Sequence, residues 1–388
     1  MECKVSVQLF SGGFLGKAAA FKTVEEKLAS ALTQLSVDRV IMGWAPDRSL
    51  YEKTAEFLAK KDIEFFLWFP VFSETGGLRN LNPLVDYRNR ELRIERTPKD
   101  EDFSFCCPAD QRNIEKIIDI FEKEFSSIPF TGVFLDKIRY PSFAQGRDAV
   151  FSCFCPQCRE KYEEKNLDVN EIKSSLSRQY SSPLSISGYQ GNGGYAFAVT
   201  RISQFFALKA EIILQSLKRI CHYFRALNYK IGLDVFAPFL APFTGQDLIS
   251  LSALGDFMKP MMYRITHSPA GLPFELNALL REARCAEERQ AFCKTLGINA
   301  EAPVFDLAFT LRELHSLNAF AACPVCAGIE INRKKGIAEA SPGYIEETME
   351  AYAGAGIKEF ALSWDLLNAP PENVAKAGEM MEKMALRY

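Results

Sequence analysis

Eight short runs rich in β-branched and aromatic residues recur along the chain, each followed by a longer stretch of helical character, and nothing else in the sequence limits the fold as sharply. The runs are Val5–Phe10, Arg39–Ala45, Glu64–Phe72, Gly132–Arg139, Lys230–Phe236, Phe257–Tyr263, Cys326–Asn332 and Glu359–Asp365. Between them apolar residues return at i, i+3 and i+4, as from Val24 to Leu35, Ile114 to Phe125, Ile202 to Phe224 and Val374 to Leu386. This alternation predicts an α/β chain built as one (β/α)8 TIM barrel over residues 1–388. With 388 residues and 48% hydrophobic content there is length for a barrel of about 250 residues plus insertions. A doubly wound open sheet is the alternative. It is disfavoured because SGGFLG, after the first run, lacks the G-x-G-x-x-G spacing that cradles a dinucleotide.

The longest excursion follows the fourth strand, residues 141–200, and is read as an insertion. Within it SSLSRQYSSPLSISGYQGNGGY (174–195) is rich in Ser and Gly. That composition suits either a lid over the barrel mouth or an uninvolved surface loop. Residues 264–325 carry two or three helical patterns and read as an elaborated connection.

Lysines and arginines number 46 against 49 acids, giving a net charge of -3. There is no long-range electrostatic reason to expect nucleic acid or an anionic membrane as partner. The first ten residues lack the apolar region of a secretory signal, and no run of about 18 apolar residues occurs. Eleven cysteines, several clustered, fit reduced thiols and metal ligation better than a disulfide framework. A soluble, cytoplasmic protein is expected, with oligomeric state left open.

Successive strand residues face opposite sides of a sheet, so one parity of each barrel strand faces the interior. The aliphatic parity should face the helices: Val133 and Leu135; Ile231, Leu233 and Val235; Ile329 and Ile331; Phe360, Leu362 and Trp364. The other parity then turns Asp136, Asp234, Glu330 and Asp365 inward at the strand ends, with Gln8 from the first strand. Acids at that end of a barrel lie where catalytic residues sit in this fold. The bland account is that they are structural acids paired with Lys137, Arg139, Lys259 or Arg264. Paired carboxylates suit glycosidic cleavage, one protonating the leaving oxygen while the other attacks or activates water. Trp44, Trp68, Tyr140, Tyr263 and Trp364 fall near strand ends, where sugar rings stack, and Arg139, Lys259, His267 and Asn332 complete the expected binding set. Histidine chemistry has little to work with, since there are only three histidines. A Schiff base on Lys259 or Lys137 is the lyase alternative, although Lys137 has the outward parity.

FSCFCPQC places Cys153, Cys155 and Cys158 in C-x-C-x-x-C spacing, with Cys106 and Cys107 upstream. Thiolates held this close suit tetrahedral zinc, and four protein ligands leave no open position for catalysis. Either Cys106 or Cys107 completes a structural site, and Cys106 is the one assigned. No catalytic cofactor is expected. Cys323 and Cys326 read as free buried thiols.

One upstream cysteine, then CFCPQC followed by REKYEE, resembles the zinc site of the β-galactosidases of glycoside hydrolase family 42. By that resemblance Glu330 matches the nucleophile. The fourth strand should then end in Asn-Glu, and it reads FLDKIRYP instead. FLDKIRYP, IGLDVFAPFLAPFTGQD and DFMKPMMYRITHSPAGLPFE are similar to strands four to six of glycosyl-hydrolase-like barrel families. That likeness implies a TIM barrel with Asp136, Arg139 and Tyr140 at strand four and Lys259, Met262 and Tyr263 at strand six. The sequence therefore points to a glycoside hydrolase acting on a small glycoside or oligosaccharide, with Asp136 and Glu330 as its acids. A catalytically retired barrel that binds sugar or protein is the alternative from a different class.

Overall fold

The computed structural model describes residues 3–12, 18–73, 81–92, 104–177, 182–300 and 305–386. Eight parallel strands run in the order β6-β5-β4-β3-β2-β1-β8-β7. They are β1 (Lys4–Gly12), β2 (Arg39–Trp44), β3 (Glu64–Pro70), β4 (Gly132–Asp136), β5 (Lys230–Phe236), β6 (Phe257–Met261), β7 (Cys326–Glu330) and β8 (Glu359–Ser363). The seam between β6 and β7 closes through a parallel bridge from Met258 to Val325, where the Met258 amide donates to the Pro324 carbonyl at 3.0 Å. The expected TIM barrel is what the chain forms.

The main helices outside it are α1 (Phe21–Leu32), α2 (Arg48–Ala59), α3 (Gln111–Glu124), α4 (Thr200–Ala226), α5 (Leu248–Ser252), α6 (Leu307–Phe320), α7 (Pro342–Gly354) and α8 (Pro371–Ala385). Local chemistry starts several of them. Asp47, Asp110, Asp306 and Ser341 accept first-turn amides of α2, α3, α6 and α7, and Pro371 opens α8, where its missing N–H is not needed. Residues 264–325 hold three helices, Leu272–Leu280, Ala286–Leu296 and α6. The 141–200 segment folds into short helices and a hairpin, Ile186–Tyr189 with Tyr195–Phe197. This hairpin is tied down: the Tyr195 hydroxyl donates to the Phe239 carbonyl (2.7 Å), Tyr189 to Glu313 (2.6 Å) and Asn192 to the Ser316 carbonyl (3.1 Å). It clasps the loop after β5 to α6.

The barrel interior is a packed core. Ile41, Phe66, Phe134, Phe257, Cys326 and Ala361 form its apolar layer, with Phe134 and Phe257 stacked at 5.8 Å. Arg39 plugs the lower end, its guanidinium 3.7 Å from the Phe257 ring centre and paired with Glu64 (3.3 Å) and Glu359 (3.6 Å). Glycine is required where strands and rings approach closely. A Cβ on Gly43 would lie 2.3 Å from the Trp68 carbonyl, and one on Gly232 2.3 Å from the Phe257 ring. We expect Gly43→Ala to lower the unfolding free energy by about 1–3 kcal/mol, measured by urea denaturation, because the neighbour at closest range is backbone.

Candidate active site

Barrel parity brings two of the four expected acids together at the upper end of the interior. Leu135 pairs with Leu233, so Asp136 and Asp234 stand side by side on the next rung of β4 and β5. Asp136 is 8% exposed; it accepts the Trp68 indole N–H at 3.0 Å and the Lys137 amide at 2.5 Å. Asp234 pairs in register with Lys259, and the ammonium lies 3.1 and 3.2 Å from its two oxygens. Both partners are buried. Burial pushes the Asp234 carboxyl up to about 7; the charge of Asp136 adds to this, and Lys259 and Arg139 oppose it. Burial works against the Lys259 ammonium too, but Asp234 and Tyr263 hold it above its usual value. Tyr263 touches Lys259 and Ser363, and Ser363 donates to the Gln8 side-chain oxygen at 2.7 Å. A polar layer thus runs across the barrel from β5 to β1.

Above it sit the aromatics. Trp44 packs edge-on against Phe10 (5.2 Å) and Trp68 (5.5 Å). Lys137 differs from its expected outward direction. It takes φ +50°, which breaks the strand's alternation, and its ammonium lies 4.3 Å from the Trp44 ring centre. Arg139 is buried between Phe105 and Phe236, facing the charges of Glu275, Asp136 and Asp234, and burial lowers its pKa. Glu275, buried at the start of its helix, was not anticipated. Its signal in the sequence is a lone acid in the apolar stretch LPFELNALL.

The other two acids act as clasps. Glu330 is enclosed: it accepts the amides of Arg264 (2.8 Å) and Ile265 (3.1 Å) and the hydroxyls of Thr266 (2.6 Å) and Tyr344. A carboxylate has about four acceptor positions, so these donors fill it. Burial still pushes its carboxyl above the usual range. Asp365 accepts the Phe10 and Leu367 amides at 3.0 and 3.1 Å and the Asn368 amide at 2.5 Å, and burial raises it likewise. Asn332 joins β7 to β8, donating to the Asp365 carbonyl (2.7 Å) and accepting the amides of Trp364 and Asp365. Tyr140 lies away from the mouth, beneath the Lys209 ammonium (4.3 Å). Trp364 is half-buried, and His267 is exposed on a loop whose amide donates to the Ile337 carbonyl.

The cysteine set needs one correction. The four sulfurs that lie within 4.8 Å of one another belong to Cys107, Cys153, Cys155 and Cys158, all buried, and not to Cys106. Cys106 pairs through its backbone with Phe72, and the next residue carries the thiol that meets Cys155 (3.4 Å) and Cys158 (3.5 Å). The Val85 amide donates to the Cys153 sulfur at 3.2 Å. Four buried thiols supported by a backbone N–H form a donor set that could hold a metal ion. Cys107→Ser should abolish metal retention while Cys106→Ser keeps it, as read by metal content after purification.

No family model matches the chain, and no curated protein matches it in sequence. Its structure is similar to the PgaB (BpsB) glycoside hydrolase domain from Bordetella bronchiseptica, with TM-score 0.57 and 12% identity over 97% of this chain and 98% of that one. It is also similar to alpha-L-fucosidase isoenzyme 2 from Paenibacillus thiaminolyticus, with TM-score 0.56 and 11% identity over 100% of this chain and 50% of that one, so it spans half the fucosidase's length. By fold, the chain is a (β/α)8 barrel similar to the barrels of these two proteins.

Proposed function

We propose that the chain is a glycoside hydrolase whose chemistry lies at Asp136 and Asp234. The observation that carries this reading is the pair of carboxylates on neighbouring strands β4 and β5, one rung beyond the Leu135–Leu233 pairing, with burial raising Asp234 to about 7. Asp136, oriented by two N–H donors, supplies the carboxylate that attacks the anomeric carbon or activates water. Asp234 supplies the proton to the leaving oxygen, and Lys259 then faces the carboxylate that forms. Neighbouring strands lie about 4.7–4.9 Å apart, which favours the short carboxylate separation of retaining enzymes. Trp44, Trp68 and Phe10 offer faces for a sugar ring, and a small glycoside or oligosaccharide is the substrate class. The filled lone pairs of Glu330 argue for a structural role in place of the catalytic one expected from its position.

A panel of aryl glycosides tests this. Asp136→Asn should lower kcat by about 10²–10⁴-fold, and Asp234→Asn should do the same for poor leaving groups while sparing activated aryl leaving groups, which need no proton. Activity should fall as pH rises through about 7, where Asp234 loses its proton. Glu330→Gln should lower the melting temperature and leave most of kcat. Full activity in both aspartate variants would sink the assignment; no turnover of any glycoside by the unaltered protein would favour a binding barrel.

The four thiols are proposed to hold a structural zinc, tying the loop after β3 to the insertion after β4. Metal analysis should find about one zinc per chain, and its removal by a chelator should lower the melting temperature. All eleven cysteines are free of disulfides, which supports a reducing compartment such as the cytoplasm. Among the described residues no helix is long and apolar enough to cross a membrane.

A further inference from the structure

Lys209 is a buried cation outside the mouth, and among the described residues it has no carboxylate partner. It stands on the apolar face of α4, among Phe205, Phe206, Ile212 and Ile213, and is 1% exposed. Its ammonium donates to the Val150 carbonyl at 2.6 Å and lies 4.3 Å from the Tyr140 ring centre and 5.2 Å from that of Phe205. Val150 leads directly into the segment that carries Cys153 and Cys155. Burial drives the Lys209 pKa well below its usual value, and the groups that act in the opposite direction are Cys153 and Cys158. Burial also pushes the Tyr140 phenol up, and Cys158, Cys107 and Cys153 add to that push. The ammonium and the ring it faces both lie beside the thiol cluster.

An ammonium without a carboxylate in an apolar core is costly, and a methionine or leucine would suit this face of α4 better if packing were the only demand. The thiol cluster supplies a different demand. Four thiolates around a divalent ion leave the centre doubly negative. The N–H groups that Val85 and Cys155 direct at the Cys153 sulfur, at 3.2 and 3.5 Å, offset part of that charge, but only as dipoles. Arg112 faces Cys155, yet it is exposed and held by Asp110 at 2.8 Å. Lys209 brings a full charge that water does not screen. Resting on the reading that the four thiols hold a metal ion, we infer that Lys209 is the counter-charge of a tetrathiolate metal centre, touching no metal itself but favouring the loaded site over the empty one.

Competition with a chromophoric chelator measures the affinity of the full chain for zinc(II) and cobalt(II). Lys209→Met, which keeps an unbranched apolar stem and removes the charge, should weaken both about 10–100-fold, the usual cost of losing a residue that supports metal ligands. Lys209→Gln keeps a donor for the Val150 carbonyl but no charge, and it should not restore the affinity. The loss of melting temperature in Lys209→Met should be larger with metal bound than without, because the empty site carries less negative charge for an ammonium to offset. With cobalt(II) bound, the thiolate-to-metal charge-transfer band of Lys209→Met should move to longer wavelength, since the ammonium no longer stabilises the sulfur electrons. Unchanged affinity and an unmoved band in Lys209→Met, full recovery in Lys209→Gln, or an equal loss of stability with and without metal, up to failure to fold, would overturn the inference and leave the metal reading standing. Uptake of neither ion by the unaltered protein would sink both.

Discussion

The ion pair between Lys259 and Asp234 is the interaction around which the upper half of the barrel is organised. Two charges buried at 3.1 Å repay their lost hydration only when the remaining donors and acceptors are also met. Tyr263, Ser363 and Gln8 meet part of that demand, so the requirement passes from strand to strand across the interior. Breaking one partner of such a pair costs about 3–5 kcal/mol, because the survivor stays buried and uncompensated. The same burial that makes the pair costly lifts Asp234 into the range where a carboxyl can exchange a proton near neutral pH. Stability and candidate chemistry therefore share one cause.

The acids that do not serve this layer hold the rim together. Glu330 takes four donors from the β6 loop and α7, and Asp365 takes amides from the end of β1 and the turn after β8. Each crosses between neighbouring strand ends where the sheet's own hydrogen bonds stop. The loop amides at these ends need acceptors, and a carboxylate with two oxygens can serve several at once. The cysteine cluster does comparable work on the outside, joining Cys107 after β3 to the turn that begins the helix Pro156–Glu164.

Above the polar layer, Trp44 and Trp68 meet edge to face, yet among the described residues only the Trp68 indole N–H finds a protein acceptor. The difference follows from strand position. Trp68 lies on β3 beside β4 and reaches Asp136, whereas Trp44 lies on β2, one strand further from it.

The sequence by itself determined the barrel, because eight strand runs between helical stretches leave few ways to bury an alternating pattern. It also placed Asp136 and Asp234 on the interior, since a period of two fixes the face of every residue while the strand stays regular. Only the tertiary structure decided the rest. Lys137 escaped the parity rule because a single left-handed residue ends the alternation. Cys106 and Cys107 are adjacent, and only the path of the loop shows which thiol meets the other three. Glu330 has the parity and position of a catalytic acid, but its donors come from residues 264–266 and 344, far away in the chain. Whether a carboxylate is free to act depends on such partners, which the fold alone brings together.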